Sequence, residues 1–178
     1  MNFRRAQGWA LFLGAVCLPF GILDFEAEYF RYLGVIGVLL FILGVPAINA
    51  SQPSGAIGLI GIILIALAAV IPLGFHLGIF GDTGFDDALI ATSVIAALAG
   101  RIITGWLTIQ KQVFSPWLGW GLIAVGVVNL TGSLDLGSLG GGVISITLTL
   151  LDAAVLAVYG MELIRKNKSN EKAKLGLP

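Results

Sequence analysis

Runs of about 20 apolar residues recur along the chain with only short polar clusters between them, and a helix needs a run of that length to cross bilayer hydrocarbon. The apolar segments lie at about 6–23, 32–49, 56–80, 88–109, 114–132 and 139–164. None shows the strict apolar–polar alternation of a barrel wall, so the segments are expected to be helices. Composition points the same way. Of the 178 residues, 57% are hydrophobic and 11% charged, against roughly 25% charged in soluble domains. The separators, Asp24–Arg31, Ala50–Gly55, Gly81–Asp87, Gln110–Gln112 and Ser133–Ser138, leave no room for a soluble domain and force antiparallel hairpins. The expectation is an all-α, polytopic integral membrane protein in which six transmembrane helices in three hairpins fill residues 1–165, followed by a polar, lysine-rich tail, 166–178, expected to be disordered.

Lysine and arginine set the orientation, because they accumulate in cytoplasmic loops. Arg4, Arg5, Lys111, Arg165, Lys166, Lys168, Lys172 and Lys174 fall on one side of a six-span arrangement, and only Arg31 falls on the other. Both termini are therefore expected to be cytoplasmic, in a multi-pass protein of the cell membrane. The outer loops collect Asp24, Glu26, Glu28, Asp82, Asp86, Asp87 and Asp135. Trp9, Trp106, Trp117 and Trp120 fall near the inner interface, where indole rings anchor helices. Met1–Arg5 followed by an apolar run to Leu23 has the outline of a secretory signal but lacks a small-x-small cleavage site before Glu26, so it reads as an uncut first span. Net charge is zero and no basic, aromatic surface is present, which excludes a nucleic-acid partner. The partners left are lipid, a second copy of the chain or another membrane protein.

Chemistry is confined to a few residues. Arg101 lies well inside the fourth segment and Asp152 well inside the sixth, and an ionisable side chain at that depth costs about 3 kcal/mol on insertion scales. Arg101 precedes Lys111, and Asp152 precedes Arg165, by distances that place both charges at similar depth. An intramembrane Arg101–Asp152 pair is expected, acting as an interhelix latch or as a proton or ion relay; separate snorkelling is the alternative. Each charge sits on a polar stripe at helical spacing: Ser93, Ala97, Arg101, Thr104 and Thr108 on one helix, Ser145, Thr149, Asp152 and Tyr159 on the other. Ala96, Gly100 and Thr104 form a small-residue ridge suited to close helix contact. His76, near the outer end of the third segment, is a candidate pH sensor or an ordinary interfacial hydrogen-bonding residue. Cys17 has no cysteine partner and reads as a packing or lipid-facing residue.

Catalytic and cofactor motifs do not emerge. No metal-ligand cluster, nucleophile–base set or lysine-bearing glycine loop falls at one membrane face, Gly140-Gly141-Gly142 lacks the lysine of a phosphate loop, and a lone histidine disfavours haem. The chain is expected to be non-enzymatic, without cofactor, metal or identifiable small-molecule substrate.

Offsetting the sequence by 111 positions aligns Gly8-Trp9 with Gly119-Trp120 and Leu23-Asp24 with Leu134-Asp135, matching 7 of 17 positions without a gap. Duplication of a two-helix unit is the expected origin. On Leu33-Gly34-Val35-Ile36-Gly37 with Leu43-Gly44-Val45, Gly100-Arg101-Ile102-Ile103 and Leu150-Leu151-Asp152, the chain resembles the HdeD-like acid-resistance membrane proteins of bacteria. It departs from that pattern in its acidic outer loops and in Pro19 and Pro72 inside odd-numbered spans. The resemblance implies a non-enzymatic envelope or acid-stress protein. The residues leave open a small transporter or channel component using Arg101 and Asp152, or a scaffold subunit of a larger membrane complex.

Overall fold

A computed structural model describes residues 3–22, 28–52, 54–77, 79–80, 86–135 and 141–174. All regular structure among the described residues is α-helical: α1 (Phe3–Ile22), α2 (Glu28–Gly44), the short α3 (Pro46–Ser51), α4 (Gly55–His76), α5 (Asp86–Lys111), α6 (Pro116–Asp135) and α7 (Gly141–Lys174). Three stretches, Tyr32–Ser51, Gly55–Gly74 and Asp86–Lys111, are long and apolar enough to cross a membrane. The chain is thus an all-α protein with the apolar helices of a polytopic membrane bundle.

The elements depart from the sequence boundaries in three places. The segment expected at 32–49 breaks at Pro46, whose ring removes a backbone donor. Val45 N–H still reaches Phe41 O at 2.9 Å and Val45 keeps right-handed helical angles, but Ile48 N–H bonds Val45 O at 3.0 Å in a tighter turn that separates α2 from α3. The third helix stops at His76, short of Phe80, and Ile79 N–H folds back onto Gly74 O at 2.9 Å. The last helix continues to Lys174 instead of yielding to a disordered tail at 166. Its extension, residues 166–174, carries four lysines and is free of glycine and proline, so nothing local stops it.

The long helices form a ring. α1 packs between α2 and α7, α5 packs between α4 and α6, α6 meets α7, and the ring closes most loosely between α2 and α4. Glycine sets the closest approaches. A Cβ on Gly105 of α5 would lie 2.5 Å from Gly119 O of α6, and one on Gly14 of α1 would lie 2.6 Å from Phe41 N of α2. The ridge residues Ala96, Gly100 and Thr104 are buried on the α4 side of α5. Leu11, Phe41, Ile48, Phe114, Leu118, Leu122 and Leu163 fill the interior. The outward face carries exposed Ile36, Leu39, Leu43, Ile60, Ile63 and Leu67, an apolar belt that would be costly in water and is neutral against acyl chains. Trp9, Trp106, Trp117 and Trp120 are all exposed at the end of the bundle that holds Phe3, here termed the terminal end.

Candidate functional site

The structure brings Arg101 of α5 and Asp152 of α7 together. Arg101 Nε donates to Asp152 Oδ1 at 3.2 Å, and Arg101 Nη2 donates to Asp152 Oδ2. The two parallel bonds use the planar fork that distinguishes arginine from lysine. α6 lies between the two helices, and Gly126 lets the arginine stem pass: a Cβ there would sit 3.3 Å from Arg101 Cβ and 3.5 Å from Arg101 Cδ. The side chains keep 16% and 17% of their surface accessible, so the pair is not sealed in packed protein.

That remaining surface faces a cavity of about 150 Å³. α2 supplies Gly34, Val35, Val38 and Phe41, and α4 supplies Ile65, Ala68, Ala69, Pro72 and Leu73. Leu18, Ala97 and Leu156 complete the apolar wall, and Arg101 and Asp152 form its ionic part. Most of the lining therefore comes from α2 and α4, the two long helices that touch each other least around the ring.

Toward the terminal end the interior is closed by a polar node. Gln52 Nε2 and Tyr159 O–H each donate to Thr108 Oγ1 at 2.8 Å, while the Thr108 hydroxyl donates to Thr104 O at 2.9 Å. One donor and two lone pairs are all that a hydroxyl has, so Thr108 is saturated. All three side chains are buried to 2% exposure or less. Beside the node, Thr104 Oγ1 is buried without a hydrogen-bond partner and lines a void of about 10 Å³ shared with Asn49, Gln52 and Ser54, about the room one water needs. A second polar contact ties the start of α6 to α7: Ser115 N–H and Ser115 Oγ–H donate to the two Glu162 oxygens at 3.2 and 2.5 Å. At the other end of the cavity, Ser93 Oγ donates to Ala68 O of α4 at 3.2 Å.

The remaining candidates are not part of this constellation. His76 ends α4, and its side chain lies outside the described residues. Ser145 also has its side chain outside them, whereas Thr149 is half-buried on α7. Cys17 is half-buried and stands where a Cβ on Gly37 would touch it, a packing position between α1 and α2. Among the described residues no group of three or more His, Cys, Asp or Glu side chains could hold a metal ion. Gln52 and Glu162 were not marked by the sequence. Gln52 sits in a linker, where burial leaves no signature, and Glu162 lies close to the basic turn at Arg165 and Lys166, where a solvated carboxylate is the ordinary reading.

No family model, no curated protein and no solved structure matches the chain. The likeness to HdeD-like proteins therefore rests on the short glycine-bearing motifs alone, together with the segments that contain Arg101 and Asp152.

Proposed function

We propose that this chain is a non-enzymatic membrane protein of six spans, both ends cytoplasmic, that passes a small solute through the bundle by way of the Arg101–Asp152 cavity. One observation carries the reading. The ion pair stands on the wall of a cavity at the middle of the helices and keeps part of its surface open to it. A latch between helices needs no such space, because a buried pair is most stable with its remaining donors and lone pairs satisfied by packed protein. The Gln52–Thr108–Tyr159 node closes the terminal end beneath the cavity, so passage requires that node to open. The six-span orientation is supported by the basic residues gathered at the terminal end and by the four exposed tryptophans there.

Reconstitution into sealed liposomes tests the reading. Purified protein is expected to raise permeation of small uncharged solutes in a swelling assay, and Asp152→Asn, which keeps an acceptor for Arg101, is expected to remain folded and lose that permeation. Permeation equal to that of empty liposomes would overturn the proposal and leave the HdeD-like envelope role or the scaffold role. Co-purification of a stoichiometric membrane partner would then favour the scaffold.

A further inference from the structure

The cavity also specifies what kind of molecule it accepts. Its charges cancel: one guanidinium is matched by one carboxylate held in a two-point grip. A ligand with a net charge would therefore meet no counter-charge in a site walled by hydrocarbon, and such a charge is strongly disfavoured there. The guanidinium is nevertheless not exhausted. Arginine has five N–H donors, and the grip on Asp152 uses two of them. The accessible remainder faces a cavity whose other walls, among them Val35, Val38, Ala69 and Leu73, offer no acceptor. An uncharged oxygen acceptor on an apolar body satisfies both conditions at once.

Size and access narrow the class. An apolar protein cavity of about 150 Å³ is large enough to take up a single benzene ring, and this cavity has about that volume, 150 Å³. The most thinly packed wall lies between α2 and α4, which pack only slightly on one another and whose outer faces carry exposed Ile36, Leu39, Ile60 and Ile63. A molecule that crosses this seam comes from the acyl-chain region rather than from water.

We propose that the cavity binds a lipid-soluble, uncharged molecule of single-ring size that bears a carbonyl-type oxygen, reaching Arg101 sideways from the bilayer through the seam between α2 and α4. The proposal deepens the solute-passage reading and rests on it for the direction of transport, though not for binding.

The test uses full-length protein in lipid nanodiscs and three fluorinated probes of one shape, observed by fluorine NMR against protein-free nanodiscs. The probes are 4-fluoroacetophenone, which carries the acceptor, fluorobenzene, which lacks it, and 4-fluorobenzoate, which carries a charge. The ketone is expected to bind saturably, about tenfold tighter than fluorobenzene, the difference that one hydrogen bond to a charged donor supplies. The benzoate is expected to show no saturable binding. Ala97→Leu and Ala69→Leu, on facing helices of the cavity, are each expected to abolish ketone binding, and the pair guards against one variant failing to fold. The Arg101→Leu/Asp152→Leu double variant is expected to bind both neutral probes equally. Tightest binding of the benzoate, equal binding of ketone and fluorobenzene by the unaltered protein, or ketone binding that survives both filling variants would overturn the proposal. Saturable ketone binding without liposome permeation would overturn the transport reading alone, whereas permeation without ketone binding would overturn the ligand class alone.

Discussion

Arg101 and Asp152 are 51 positions apart in sequence and stand on helices with α6 between them, yet one guanidinium holds both oxygens of one carboxylate. Each residue is the reason the other is tolerated. Removing one leaves a charge in an apolar interior, while removing both leaves only space. Arg101→Leu or Asp152→Leu alone should therefore cost about 3 kcal/mol of stability, and the double replacement should recover much of it. Thermal unfolding of the four proteins in one mild detergent checks this, and additive losses would show that the two side chains act independently.

Gly126 is the passage by which the arginine stem crosses α6. A side chain larger than a methyl there must displace the Arg101 stem, whose Cδ would be 3.5 Å from the added carbon. Gly126→Leu should lower stability by about 1–3 kcal/mol, the usual cost of overpacking. Arg101→Ala removes the stem, so in that background the same glycine replacement should cost clearly less. An equal cost in both backgrounds would place the clash with α5 itself.

Thr108 serves two donors with its lone pairs, so its loss and the loss of one donor are not equivalent. Tyr159→Phe removes one of the hydroxyl's three bonds and should cost about 1 kcal/mol. Thr108→Val takes the acceptor from both the Gln52 amide and the buried Tyr159 hydroxyl and should cost about 2–4 kcal/mol. Comparing midpoints of the two variants decides it. Equal midpoints would mean that water reaches the node.

Topology is open to chemical labelling in a Cys17→Ala background. Single cysteines at Gln112 and Ser169, both exposed at the terminal end, should resist an impermeant thiol reagent added to intact cells, and cysteines at Glu26 and Thr83 should react. Reaction of both groups from outside would refute the six-span, termini-inside arrangement.

The helices are legible in the sequence because a bilayer-length apolar run is a physical requirement and not a statistical tendency. Arg101 and Asp152 are legible for a related reason: a charge far from either end of an apolar run must find a partner, and their distances from Lys111 and Arg165 give their depth. Other features depend on what the helices leave between them. The cavity is the volume remaining once Val38, Ala69 and Ala97 have been placed, and no residue encodes it alone. Gln52 enters the core where the chain leaves α3, with φ −119° and ψ 84°, and its burial is a tertiary outcome. The aligned glycines of the internal offset also do different work: Gly8 packs on Leu163 and Ile164 of α7, while Gly119 packs on Gly105 of α5. Sequence similarity at those positions does not translate into equivalent contacts.

The length of α7 has a mechanical consequence. With Asp152 at the mid-depth that the proposed six-span arrangement gives it, the turns to Lys174 rise about 33 Å along the axis, whereas half of the hydrocarbon layer is only about 15 Å thick. In that arrangement the last turns of this 34-residue helix would stand clear of the acyl chains as a stiff mast. Lys166 is braced at its foot, its ammonium 4.6 Å from the centre of the Phe114 ring. A tilt of α7 that parted Tyr159 from Thr108 would sweep the tip of that mast through an arc, so a fluorophore fixed near Ser169 would report movement at the node.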